Sequence, residues 1–437
     1  MLNLKSNKVN TAFFLFIYIN SKIERTKKNL FWGGIKISVL IKNCRIVDEE
    51  KDLFGDLYIK DGKIDNYGRD LNYDAYTIDA KGLVVMPAFV DMHAHFRDPG
   101  YTYKEDLHYG SLAALKGGYT CVNLMGNTNP ICSEMNVVNY VLNKAKELNL
   151  IDIHQTVSIT KSFDGKSLEH LDYVDDNVKF ISDDGKGVQS NLTMYLAMVK
   201  AKEKGLTIIA HEEDNGIVTI NTRLSENLMT FRDIYLAKFT GASLHLAHVS
   251  TKEAIEGIRK AKRKIQNLTC EVTPHHLALY SYDYKVNPPI REKEDVLEII
   301  DGIKDGTVDI IATDHAPHSM QDKEKGAPGI SGLETAFPVC YTKLVKSEEI
   351  SLNRLSQLMS SKPAQMLGVK KGKIQAGYDG DVVIVDLEKK VKINKDEFLS
   401  KGKNTPFDGM EFYGEVIATI RKGEIKYKKG SVKFDNR

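Results

Sequence analysis

From about residue 83 onward the chain alternates two textures. Short runs of consecutive apolar residues are followed by stretches in which apolar positions return every three or four residues. In order, the runs are LVVMPAFVDM, YTCVNLM, IDIHQTVSI, VKFIS, LTIIA, LHLAHVS, LTCEVTP and VDIIATD, eight in all. The stretches between them include LHYGSLAALKGG, NVVNYVLNKAKEL, NLTMYLAMVKAKEKG and TKEAIEGIRKAKRK. Strands that are apolar throughout are covered on both faces, as in a parallel sheet with helices packed outside it. Eight such strands alternating with helices predict a closed α/β barrel of the (β/α)8 type. A doubly wound open sheet is the alternative, but the first strand lacks the glycine-rich phosphate loop that would support it.

The flanks read differently. SVLIKNCRIVD, GDLYIKDGKIDNYG and YTIDAKGLVVMP are short strand patterns punctuated by turn residues, and GYDGDVVIVDLEKKVKI and GEVIATIRKGEIKYKKG repeat that texture at the other end. Residues 37–87 and 369–437 are therefore expected to pair into one small β-sandwich domain, with the barrel over 88–368 inserted between its halves. Residues 1–36 precede any coherent pattern. They are expected to be a disordered extension, or to lie upstream of the true start. Their apolar run AFFLFIYI is too short to span a bilayer and has no small-residue cleavage site after it.

Composition narrows the class. A formal net charge of +2 gives no field for nucleic acid or an anionic membrane. The five cysteines (Cys44, Cys121, Cys132, Cys270, Cys340) are scattered and form no CxxC, which points to a reducing, cytoplasmic setting.

Chemistry in such a barrel sits at the C-terminal ends of the strands, and the polar residues collect there. In FVDMHAHFRDPG, His93, His95 and Arg97 are spaced by two, so in an extended segment they share a face. The second strand ends near Asn127, the fourth in Asp183 and Asp184, the fifth in His211; the sixth carries His248, and the eighth ends in Asp314, His315 and His318. A lone strand-end histidine is more often a structural residue than a ligand, and an Asp before Gly is ordinary turn chemistry. Five strands placing His or Asp at the same end, with an Asn at a sixth, need a common reason. Four histidines and two aspartates without a thiolate suit a zinc site in a hydrolase. His245 lies within its strand and is expected to face elsewhere. His275 and His276 are expected to support the rim, His108, His154 and His170 to sit at the surface or in packing, and Asp379 and Asp381 to be turn residues.

The runs PAFVDMHAHFRDPG, LMGNTNP, FISDDGKGVQ, AHEED, AHVSTKEAI, CEVTPHH, VNPPIR and IATDHAPH resemble the amidohydrolase superfamily, and within it the dihydroorotases of the bacterial long-chain type. The resemblance implies two zinc ions per subunit, bridged by Asp184 and a hydroxide. One would be held by His93, His95 and Asp314, the other by His211 and His248. Asp183 is the alternative bridge. It further implies that Asp314 is the proton carrier, that Arg97, Asn127 and His318 grip a substrate carboxylate along with His95, and that Asn287, Pro328 and Gly329 meet the ring. The loop GAPGISG is shorter than the family pattern and has proline where a large apolar residue is common, which leaves its closure open. The implied reaction is the reversible cyclisation of N-carbamoyl-L-aspartate to (S)-dihydroorotate and water in pyrimidine biosynthesis. Hydantoinase, dihydropyrimidinase and allantoinase are rivals on the same barrel. A non-catalytic assembly partner of aspartate carbamoyltransferase is a rival of another class, though such relatives lose ligands that are all present here. A homodimer is also implied, with carbamoyltransferase as a further partner.

Overall fold

The computed structural model describes residues 38–429, so the expectations for residues 1–36 lie outside the described residues. The first strands are β1 (Val39–Val47), β2 (Asp52–Lys60), β3 (Lys63–Gly68), β4 (Tyr76–Asp79) and β5 (Val84–Pro87). The eight barrel strands follow: β6 (Phe89–Ala94), β7 (Tyr119–Leu124), β8 (Asp152–Gln155), β9 (Phe180–Ile181), β10 (Thr207–Ala210), β11 (Ser243–Leu246), β12 (Leu268–Val272) and β13 (Ile310–Ile311). After them come β14 (Val382–Lys392), β15 (Glu411–Arg421) and β16 (Glu424–Lys428).

Every pairing among β6 to β13 is parallel. Two single parallel bridges, Ala94 with His315 and Val157 with Ile181, join the remaining neighbours and close the ring. This is the expected (β/α)8 barrel, and its closure removes the open-sheet alternative. Helices α1 (Leu107–Lys116), α2 (Met135–Leu148), α3 (Asn191–Glu203), α4 (Thr222–Thr240), α5 (Lys252–Lys262) and α6 (Lys293–Asp305) pack around it. One alternation departs from expectation: between β8 and β9 there are only 3-10 turns, Lys161–Phe163 and Glu169–Tyr173. No helix among the described residues is long and apolar enough to cross a membrane.

The first apolar run serves two sheets. Val84–Pro87 pairs antiparallel with β14 and parallel with β1, whereas Phe89–Ala94 enters the barrel. Both halves are fully buried, so hydrophobic pattern alone does not mark the division at Ala88. The mixed sheet runs β16-β15-β14-β5-β1-β2-β3, with β4 beside β1, and so draws on both flanks of the barrel. Inside the barrel ring, Val90, Met92, Cys121, Phe180, Ile209 and Ile310 form a buried cluster capped by Ala364 and Leu367. Each such side chain stabilises by roughly 1.5–3 kcal/mol relative to exposure. All five cysteines are buried and free.

Asp379 and Asp381 are more than turn residues. Buried Lys371 lies 2.7 Å from Asp152, 3.1 Å from Asp379 and 2.5 Å from Asp381, and Arg421 lies 2.6 Å from Asp152. The cluster ties the first residue of β8 to the end of β15 and the approach to β14. Burial opposes every charge in it. Mutual attraction outweighs burial, raising the Lys371 pKa and holding Asp152 well below the usual carboxylate range.

Lys371→Met is expected to destabilise the protein by about 3–5 kcal/mol, because it leaves buried carboxylates uncompensated, and to lower the calorimetric midpoint by about 5 °C or more. A depressed Asp pKa contributes stability above the unfolded value of about 3.9 that is lost as pH falls. The raised Lys371 pKa contributes below about 10.4 and is lost only at higher pH. The gap between wild type and variant is therefore widest near neutrality and shrinks below about pH 4. A gap that is constant from pH 7 to pH 3 would remove the ion cluster as its cause.

Candidate metal centre

Two clamps set the strand ends beside each other. The Asp91 carboxylate in β6 accepts from the Thr313 amide (2.9 Å), the Thr313 hydroxyl (2.5 Å) and the His93 amide (3.3 Å). The His95 amide donates to the His315 carbonyl at 2.9 Å. Together they fix the end of β6 against the residues after β13, so His93 and His95 face Asp314. Burial pushes the Asp91 pKa up to about 6, against the pull of the Thr313 bonds. Three of the residues singled out from the sequence take left-handed backbone without being glycine: Arg97 (φ 58°), His248 (φ 34°) and Asp314 (φ 46°). Such conformations cost of order 1–3 kcal/mol each and collect where a side chain must be aimed.

The aimed side chains converge. Asp184 Oδ1 lies 3.3 Å from His93 Nε2, 3.3 Å from His211 Nδ1 and 3.8 Å from His248 Nε2. Its Oδ2 lies 3.5 Å from His95 Nε2. Asp314 Oδ1 is 3.0 Å from His95 Nε2 and 3.6 Å from His93 Nε2. His211 Nδ1 and His248 Nε2 stand 3.0 Å apart. Among the described residues, two ligand groups are compact enough to hold an ion, His93 with Asp184 and His248, and His93 with His95 and Asp314. Asp183 points away: it accepts from the Ile159 amide (2.7 Å), the Thr160 amide (3.0 Å) and the Thr160 hydroxyl (2.5 Å). Burial works against charge on His93, yet the carboxylates of Glu271 and Asp184 outweigh it and push its pKa well above the usual imidazole value. Burial likewise opposes the Asp184 charge, and the imidazoles of His93, His211 and His248 pull its pKa well below the usual carboxylate range.

Beside this cluster lies a cavity of about 210 Å³, lined by His95, Asn127, Asp184, His211, His248 and Asp314 together with Arg97, Asn287, His318, Pro328 and Gly329. His93 is fully buried and does not line it. Gly185 and Ala316, which the sequence reading did not single out, complete the lining. The volume lies below the roughly 300–1,000 Å³ of pockets that hold drug-sized ligands, and suits one small ring. Arg97 Nη2 lies 3.4 Å from His318 Nε2, and Arg97 Nε is enclosed with no hydrogen-bond partner. No ion pair engages Arg97 among the described residues. Burial, then the charges of Arg97 and Lys104, push the His318 pKa down to about 3, so His318 is neutral at pH 7.

A family model for the amidohydrolase family matches residues 84–426. The chain belongs to the amidohydrolase family. It is 56% identical over 398 residues to a dihydroorotase of Clostridium botulinum, covering 90% of this chain and 100% of that protein. A dihydroorotase of Lactobacillus gasseri is 40% identical over 431 residues, with 90% and 100% covered. Among solved structures, the L-hydantoinase (dihydropyrimidinase) of Arthrobacter aurescens superposes with a TM-score of 0.83 at 27% identity, covering 91% of this chain and 97% of that one.

This amidohydrolase supports its site with residues that sequence reasoning missed. Glu271, fully buried in β12, accepts from His93 Nδ1 (2.6 Å), His245 Nε2 (3.0 Å) and the His248 amide (3.3 Å). His245 thus serves the site from within its strand, as a partner of Glu271. Those imidazoles, against the effect of burial, lower the Glu271 pKa to about 2. The available signal was a carboxylate inside the apolar run LTCEVTP, since such a residue is buried only when paired. Asn127 bridges His95 Nδ1 (2.8 Å) and Asp184 Oδ2 (3.2 Å). His276 bonds Thr273 and the Pro288 carbonyl, a supporting role as expected. Asn287 donates to Glu213. Asn404, far along the chain, accepts from the His318 amide (2.9 Å) and donates to the Ala316 (3.1 Å) and Gly329 (2.9 Å) carbonyls, holding the cavity's outer loop. Gly329 has φ 127°, and a Cβ there would meet the Ala316 Cβ at 2.6 Å, so only glycine fits.

Glu271→Gln keeps the shape and removes the carboxylate behind His93. It is expected to weaken divalent-metal retention by roughly 10–100-fold in chelator competition. Retention equal to wild type would show that Glu271 serves only folding.

Proposed function

We propose that the chain is a dihydroorotase that interconverts N-carbamoyl-L-aspartate and (S)-dihydroorotate plus water. The observation that carries this reading is Arg97: a guanidinium with an enclosed, unpartnered Nε, facing a small cavity beside a cluster of ligand-type side chains. A half-buried guanidinium with an enclosed, unpartnered Nε and no direct ion pair leaves donors unsatisfied, and a substrate carboxylate supplies a partner in the planar geometry the fork accepts. The ring substrates of hydantoinase-type relatives offer no such group in their closed form. The 56% identity to a dihydroorotase supports the same choice.

The residues fit a metal pair. His93 Nε2 is buried with no hydrogen-bond partner, and the donors around it are nitrogen and oxygen without sulfur, a set that suits zinc. His93, His95 and Asp314 would hold one ion and His211 and His248 the other, with Asp184 between them. Bound there, zinc supplies Lewis-acid polarisation of an amide carbonyl and a water acidified to neutral pH. The remaining work falls to the chain. Arg97, Asn127 and His318 hold the carboxylate. Asn287 and the backbone at Pro328 and Gly329 orient the ring. In ring opening the Asp314 carboxylate takes the proton of the attacking water and hands it to the departing ring nitrogen. In closure it runs in reverse, and one proton is consumed as a carboxylate becomes a neutral amide. A cytoplasmic site of action, a homodimer and association with an aspartate carbamoyltransferase accompany this reading.

A substrate panel on zinc-loaded protein tests it: dihydroorotate, carbamoyl aspartate, dihydrouracil, hydantoin and allantoin, followed by absorbance and chromatography. Turnover of the first two alone is expected. Turnover of dihydrouracil or hydantoin instead would keep the metal site and overturn the substrate, and no turnover with two zincs bound would favour an assembly role. Arg97→Lys is expected to raise KM and lower kcat by at least tenfold together, since a point charge does not reproduce the fork; unchanged kinetics would make Arg97 structural. Asp314→Ala is expected to abolish turnover while at least one zinc remains by metal analysis, and an active variant would remove Asp314 from proton transfer.

A further inference from the structure

Helix α4 turns an apolar face to solvent. Of its nineteen residues only six are exposed; five of them are Leu224, Leu228, Phe231, Tyr235 and Phe239, and the sixth is Lys238. Ile220, one residue before the N-cap, is 84% exposed and extends the stripe. Tyr235 is 68% and Phe239 73% exposed. The neighbouring helix α3 widens the patch with exposed Leu192 and Leu196, joined to it through Tyr195, whose ring lies 6.3 Å from that of Phe239. The outward apolar area of these residues is on the order of 900 Å², beyond the roughly 300–600 Å² of a typical monomer's largest patch and close to the ~800 Å² each partner gives to a stable interface.

The stripe has an internal symmetry. Its spacings from Ile220 to Phe239 read four, four, three, four, four, the same in either direction. Its first half is aliphatic (Ile220, Leu224, Leu228) and its second half aromatic (Phe231, Tyr235, Phe239). Laid antiparallel on itself, it sets Ile220 against Phe239, Leu224 against Tyr235 and Leu228 against Phe231, an aliphatic residue meeting an aromatic one each time. That is the property of a twofold interface, in which one patch complements itself. A parallel copy would stack ring on ring and leave the aliphatic half short of contacts.

We propose that this face of α3 and α4 is the contact between two copies of the chain, with the α4 helices antiparallel about a twofold axis between Leu228 and Phe231. The assignment deepens the homodimer reading and is independent of the substrate. Sedimentation equilibrium of the full chain tests it. The wild type is expected at twice 49.1 kDa. Leu224→Lys and Tyr235→Glu are each expected to weaken the dimer at least a hundredfold while far-ultraviolet circular dichroism stays unchanged, and the double variant, which places the two new charges opposite each other, to regain at least tenfold. Leu228→Ser, a milder change at the axis, is expected to weaken it about tenfold and serves if a charged variant does not fold. A monomeric wild type, or one that associates only when an aspartate carbamoyltransferase is added, overturns both the face and the homodimer. Single variants that remain dimeric overturn the face alone, and a double variant no better than its parents overturns the antiparallel arrangement.

Discussion

The carboxylate of Asp184 organises this molecule. It lies within 3.3–3.8 Å of four imidazoles drawn from three strand ends. A buried carboxylate is tolerable only when its charge is matched, and removing one partner from such a cluster strands the others. The site therefore constrains the barrel as much as the barrel positions the site. Asp91 is spent on joining β6 to the segment after β13, Glu271 on holding His93 from behind, and three non-glycine residues accept left-handed backbone to bring Arg97, His248 and Asp314 into range.

What the sequence disclosed follows from how far each signal reaches. Strand-end histidines are legible because one rim gathers them and each lies next to an apolar run. The barrel is legible because consecutive apolar residues betray two covered faces. The change of sheet at Ala88 is not, since Val84–Pro87 and Phe89–Ala94 are equally buried and only hydrogen-bond partners distinguish them. The missing helix between β8 and β9 is hidden for the same reason, as alternation counts strands better than it identifies connections. Asp183 and Asp184 are adjacent and chemically identical. Only backbone direction at the strand end sends one to the Ile159 and Thr160 amides and the other among the imidazoles.

Supporting residues were hardest to find because their partners are distant in sequence. Glu271 meets His93 across 178 positions, and Asn404 meets His318 across 86. Asp381 resembled a turn residue because it stands beside glycine, whereas its role is set by Lys371 and by the Lys422 amide across the sheet. A local pattern announces where a chain turns. It does not announce which charge awaits at the turn.

Helix α4 unites these themes. Its apolar positions run around most of its circumference, which blurs the single stripe by which a surface helix is usually recognised. The buried side of that circumference is tied to the site. Glu226 accepts from the amides of Ser250 (2.8 Å) and Thr251 (3.2 Å), two and three residues beyond His248, and pairs with Arg291 at 2.8 Å. Ser225 accepts from the Asp214 amide at 2.8 Å, in the segment that leaves His211. The helix is thus pinned to the loops of two of the four imidazoles around Asp184. A second chain laid on its outer face would restrain the same helix, so the rigidity that holds two site histidines in place and the contact between copies are carried by opposite sides of one element.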